Sequence, residues 1–188
     1  DKIAGLLTDK DARGGALAAL GALRVQSSVP AIAAMAKDPS VSERGRFTAV
    51  STLGAIGGPD AQAALLDLLA DDKASVRFAA QYALEQMRST GALVSKLSAA
   101  NRRVRLHALS ALGHLAERST RADIRPLLDD PDATVRGFAV EALAAMPKPS
   151  DRAWIEAMLV TEKDGFVRGK LLEARGIVLD PPRPDAPK

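Results

Sequence analysis

A chain of 188 residues is long enough for one well-buried core or one array of small units, and hardly for two ordinary domains. Apolar residues make up 47% and aromatics only 3%, so the interior must be filled by Ala, Leu and Val, which is helix-packing material and tells against a strand-rich fold. A net charge of +3 falls short of a dense nucleic-acid-binding stripe, and zero Cys excludes both a disulfide framework and thiolate chemistry. No run of about eighteen uncharged apolar residues occurs, so no membrane span is expected and the chain reads as soluble, with cytoplasm and periplasm both open.

Along the chain one short phrase recurs: Val-Arg, then Ala three and six positions after the Arg and Leu at seven. Val76-Arg77, Val104-Arg105, Val135-Arg136 and Val167-Arg168 carry it. Ala12-Arg13 and Gly45-Arg46 are degenerate copies, identified by Ala16, Ala19 and Leu20 after the first and by Ala49, Thr52 and Leu53 after the second. The six Arg are separated by 33, 31, 28, 31 and 32 residues. The trailing columns, such as Ala80/Ala83/Leu84 and Ala139/Ala142/Leu143, form one stripe of a 3.6-residue helix. A second apolar helix precedes each phrase and ends in a polar, mostly acidic turn, so each unit is a helical hairpin.

The expected hairpins span 1–27, 28–58, 59–89, 90–118, 119–148 and 149–178, followed by a proline-rich tail or linker at 179–188. Asp9, Ser42, Asn101, Asp132 and Asp164 each stand four residues before an Arg, where a side-chain oxygen can accept from the free N–H groups of a new helix. Gly57-Gly58-Pro59 and Pro147-Lys148-Pro149 close one hairpin and open the next.

An acidic turn followed by Val-Arg, spaced Ala and Ala-Leu, often with Gly next, resembles the HEAT-like repeat of the phycobilisome-lyase type. The resemblance covers residues 1 to about 178 and implies an all-α, right-handed α-solenoid of about six hairpins. The phrase weakens in the first two hairpins and the last, where Arg175-Gly176 replaces Leu-Gly; either further repeats lie beyond these residues or a partner covers an end. The resemblance also implies that the Arg column pairs with turn acids such as Asp9, Asp72, Asp132 and Asp164, knitting hairpins together and not tracking phosphates.

In such stacks the second helices line the concave face, and positions two, five and nine after each Arg are expected to project from it. The first two hairpins supply small residues there, Gly15, Ala18, Ala22, Thr48, Ser51 and Ala55. The next three supply Tyr82, Gln86, His107, Ser110, His114, Phe138 and Glu141, the candidate partner-binding residues, since large amphipathic side chains bury much area with few rotors. Packing of Tyr82 and Phe138 over their neighbours is the competing reading. Arg102, Arg103, Arg118, Arg121 and Arg125 make the most basic region, a candidate edge for phosphate or an acidic partner, with a solvated ridge as the alternative.

Catalytic groups are not found. His107 and His114 are seven residues apart on one helix, roughly 10 Å along its axis, too far to share a metal. Neither is followed by Glu, as the hydroxylases of this repeat class would require, and no nucleophile elbow or phosphate-cradling loop can be placed. The expectation is a non-catalytic scaffold binding a protein partner, without cofactor or metal. Nucleic-acid binding along the basic edge is the alternative, and a bilin lyase or chaperone-like role, with Tyr82, His107 and Glu141 toward a tetrapyrrole, is the third.

Overall fold

The computed structural model describes residues 5–179. All regular elements among them are helical, as the Ala- and Leu-rich composition requires. In chain order the α-helices are α1 (Arg13–Ala22), α2 (Val29–Lys37), α3 (Glu43–Ile56), α4 (Gly58–Leu68), α5 (Ala74–Gln86), α6 (Thr90–Val94), α7 (Arg102–Leu115), α8 (Arg121–Ile124), α9 (Ala133–Ala144), α10 (Asp151–Thr161) and α11 (Gly165–Leu179). Six of them, α1, α3, α5, α7, α9 and α11, carry the Arg phrase, so the all-α repeat architecture is the one the sequence spells out. The proline-rich tail from residue 180 lies outside the described residues, and Leu179 is still helical.

Two compact units divide the chain, Asp1–Leu93 and Val94–Lys188. In the first, α3 packs against α1, α2, α4 and α5, and α2 also meets α4. In the second, α9 packs against α7, α8 and α11, with α10 against α11. Ala49, Val50 and Leu53 of α3, and Ala139 and Val140 of α9, are wholly buried. Removing a Leu or Val side chain from water contributes about 1.5–3 kcal/mol.

The helices that precede the phrase are less regular than those that carry it. Leu6–Thr8, ahead of α1, is a 3₁₀ turn, and α8 gives way after four residues to a 3₁₀ segment, Arg125–Asp129. Pro126 explains the latter, because it lacks an N–H and its ring crowds the carbonyl of Ala122. Pro30 and Pro59 sit at the first turns of α2 and α4, where a missing N–H costs nothing.

All five anticipated caps accept backbone N–H groups. Asp9 accepts from Asp11 and Ala12, Ser42 from Gly45, Asn101 from Arg103, Asp132 from Thr134 and Val135, and Asp164 from Phe166 and Val167. Glycines eight residues after the Arg let neighbouring helices approach: a Cβ on Gly54 would lie 2.8 Å from the Ala83 Cβ, and one on Gly113 would lie 3.2 Å from the Ala142 Cα. The Gly that trails the phrase is therefore a seat for the next hairpin's second helix.

Candidate functional site

The Arg column is structural, and its partners differ from those the turn positions suggested. Arg77 Nη1 donates to the carbonyls of Asp71 and Asp72 at 2.6 and 2.9 Å, and Arg105 and Arg136 hold their own turns in the same way. The rest of the guanidinium faces a carboxylate 25 or 26 residues on: Arg46 pairs with Asp71, Arg105 with Asp130 at 3.0 Å, and Arg136 with Glu162 through two bonds of 2.8 and 3.0 Å. The acids lie six residues before the next Arg, while Asp132 and Asp164, two residues further along, cap helices instead. Bonding to Arg136 holds the Glu162 carboxyl below its ordinary value, and the same contact raises the Arg136 guanidinium.

In the first unit, α3 and α5 together form an exposed apolar groove of about 460 Å³. Gly54, Ala55, Ala79 and Ala83 floor it, and Phe47, Phe78 and Tyr82 wall it, with Ser51 and Gln86 as its polar groups. The three rings are 48%, 61% and 63% exposed, respectively. Tyr82 and Gln86 were anticipated; Phe47 and Phe78 were not, because they stand one residue after the Arg and not two. At 100° per residue, the positions one, five and nine after the Arg form a stripe of successive i, i+4 neighbours. Position two lies on the flank that turns inward, as Ala79 shows by being 8% exposed.

The same one-residue shift corrects His107. It stands two after Arg105 and is 8% exposed, part of the interior of the second unit and not of a binding face. Ser110, His114, Phe138 and Glu141 are brought together around a recess of about 80 Å³ in that unit. Its residues are already engaged with their neighbours. Phe138 is half-buried, its ring centroid 6.4 Å from that of Phe166. Glu141 pairs with Lys170 at 3.1 Å, and that hydrogen bond, aided by Glu173, raises the Lys170 ammonium above its ordinary value.

Of the basic edge, Arg103, Arg118 and Arg125 are exposed, Arg125 lying over the Trp154 ring at 5.8 Å. Arg102 bonds Asp132 at 2.7 Å and Thr134 at 2.8 Å. Arg121 leaves the edge altogether. It is 8% exposed, paired with Asp151, and donates to the carbonyls of Leu143 and Met146. Asp151 also accepts from the Lys148 backbone and from Trp154 Nε1, so a buried charge pair ties α8, the loop after α9 and α10 together.

Among the described residues no group of three or more His, Asp or Glu side chains could hold a metal ion, and no helix is long and apolar enough to cross a membrane. The sequence model of HEAT repeats matches residues 3–85 and 90–175. No curated protein matches the sequence. Among solved structures, an engineered protein is 19% identical with a TM-score of 0.50, the alignment covering 95% of each chain. Human deoxyhypusine hydroxylase is 18% identical with a TM-score of 0.50, over 94% of this chain and 83% of that one. The complex of CpcE and CpcF of phycocyanin lyase from Nostoc is 23% identical with a TM-score of 0.47, over 94% and 75%. Likeness at these identities shows the fold alone.

Proposed function

The chain belongs to the HEAT-repeat family, and from that premise we propose that it is a non-catalytic scaffold that binds a segment of a partner protein on the α3–α5 face. The observation that carries this reading is the exposure of Phe47, Phe78 and Tyr82 along one groove floored by Gly and Ala. Half of the six aromatic residues in this chain stand there. Clustered exposed rings over a preformed apolar floor favour protein contact, because each buries a large area with two rotors and the floor needs no reordering. A volume near 460 Å³ has room for two or three apolar side chains, and Ser51, Gln86 and the Tyr82 hydroxyl can meet the backbone of the segment that carries them.

The recess of Ser110, His114, Phe138 and Glu141 is the smaller surface on the second unit, and Arg103, Arg118 and Arg125 supply positive charge that would orient an acidic partner. The test is to select linear peptides on the protein from a random display library and titrate them calorimetrically against wild type and a Phe78→Ser/Tyr82→Ser double variant that circular dichroism shows to be folded. At least a tenfold loss of affinity, about 1.4 kcal/mol, is expected in the variant. Peptides that bind both proteins equally would remove the groove from the proposal.

A further inference from the structure

The α3–α5 groove has a step across it as well as a floor. Phe47 and Phe78 hold one column, the position after the Arg, on two helices that pack directly together. That packing is close, since a Cβ on Gly54 would lie 2.8 Å from the Ala83 Cβ. Packed helices stand about 8–10 Å apart, so the two ring positions recur across the groove at about that step. None of the residues lining the groove is charged. The Ser51 hydroxyl donates to the Phe47 carbonyl at 3.1 Å, and the donors turned to a ligand are the Tyr82 hydroxyl and the Gln86 amide, both on exposed side chains of α5. A fitting ligand therefore presents an uncharged edge with an apolar group about every 9 Å and bare carbonyls between.

One segment of this chain has that form. Residues 180–188, which lie outside the described residues, read Asp-Pro-Pro-Arg-Pro-Asp-Ala-Pro-Lys. Pro181, Pro184 and Pro187 are spaced three apart. A polyproline II helix has three residues per turn and rises about 3.1 Å per residue, so prolines at this spacing share one edge at steps of about 9 Å. Asp180, Arg183, Asp185 and Lys188 fall on the other two edges, which leaves the proline edge uncharged. Such a helix makes no internal hydrogen bonds, so its carbonyls accept from outside donors. Proline also brings its φ already fixed, so little ordering opposes binding.

We propose that the α3–α5 groove binds residues 180–188 as a polyproline II strand laid across the two helices, successive prolines of the uncharged edge resting against Phe47 and Phe78. The Tyr82 hydroxyl and the Gln86 amide donate to the carbonyls between those prolines. Grooves walled by aromatic rings suit Pro-rich segments, because ring and pyrrolidine are both rigid and apolar. An extended β-strand repeats its same-face side chains at about 7 Å and falls out of step with the rings. This inference rests on the groove being a peptide-binding face, and it names the ligand.

The test follows the anisotropy of a fluorophore-labelled peptide of residues 180–188 during titration with the full chain carrying Pro181→Ser/Pro184→Ser/Pro187→Ser, so that the attached tail does not compete. The expected result is saturable one-to-one binding that weakens about tenfold or more when Phe78→Ser/Tyr82→Ser is added, circular dichroism confirming that the variant folds. Within the peptide, Pro184→Ala removes the proline common to both three-residue steps and should weaken binding about fivefold or more, while Pro182→Ala, off the edge, should change it less than about twofold. No saturation at about 0.5 mM protein, or binding indifferent to the two rings, overturns the proposal. Equal losses from Pro182→Ala and Pro184→Ala overturn it as well, since the proline edge then has no role. The display-selected peptides separate this failure from that of the groove. If they bind through Phe78 and Tyr82 and the tail peptide does not, only the choice of ligand falls; if they too ignore the rings, the groove reading falls with it.

Discussion

The α3–α5 face of the first unit and the α9–α11 face of the second carry the same repeat phrase but spend their aromatic residues differently. In the first, the position after the Arg is Phe47 and Phe78, 48% and 61% exposed beside Tyr82. In the second, that position is Gly137, and the space a side chain would fill is taken by Phe166, whose Cε1 lies 2.2 Å from where a Cβ would be. Phe166 in turn packs on Phe138 and lies under the Lys170 ammonium, 6.0 Å from the ring centroid. The residue in this column thus decides whether a ring packs over it: Phe166 lies on Gly137 and beside Phe138 while still 45% exposed, and Phe47 and Phe78 are themselves the residues of that column, 48% and 61% exposed. Repeat register alone does not tell which aromatic residues pack against a neighbouring helix; the size of the residue facing each ring also matters.

If the second unit is where contacts are consumed for structure, its buried pair should be the most expensive to break. Asp151 accepts from Arg121, from Trp154 and from the Lys148 backbone while almost wholly removed from water. Asp151→Ala should cost about 3–5 kcal/mol in urea unfolding, because it strands a buried guanidinium. A cost under about 1 kcal/mol would show that the pair is solvated and that the second unit is less tightly closed than its contacts imply.

The Arg136 to Glu162 rung gives a smaller, pH-dependent effect. Its Glu is held below the ordinary value of 4.5 by Arg136, so the contribution is fully present above about that pH and is lost as pH falls through the lowered value. Glu162→Gln should therefore be less stable than wild type at pH 7 by about 1–3 kcal/mol, and the gap should close in acid. A gap that stays constant down to pH 2 would mean that Glu162 acts by shape and not by charge.

Much of the fold was legible because caps and spacings are local. Asp9, Ser42, Asn101, Asp132 and Asp164 each need only their own turn to act, and all five do. The rung acids were harder, since Asp130 and Asp132 are both acidic and only the packed hairpins decide that the first takes the Arg and the second the helix end. The phase of the exposed stripe failed for a related reason. Ala occupies both faces of these helices, Ala16 inside and Ala18 outside for example, so polarity does not fix which side turns outward. His107 was placed outside on that account, and Phe47 and Phe78 were passed over although their position after an Arg recurs. Arg121 looked like part of a basic edge because its partner, Asp151, is 30 residues away.

The finest contrast between the two faces lies in two phenylalanines. Phe138 is half-buried against Phe166, so Phe138→Ala should destabilise the protein by about 1–2 kcal/mol, part of the 3–5 kcal/mol seen for a fully buried ring. Phe78 is 61% exposed, and Phe78→Ala should change stability by less than about 0.5 kcal/mol. Peptide affinity should show the reverse order, with Phe78→Ala losing binding and Phe138→Ala retaining it. If thermal unfolding finds Phe78→Ala the more damaging of the two, the ring is a structural member of the first unit. The contrast between the two faces would then have to be redrawn around Phe47 and Tyr82.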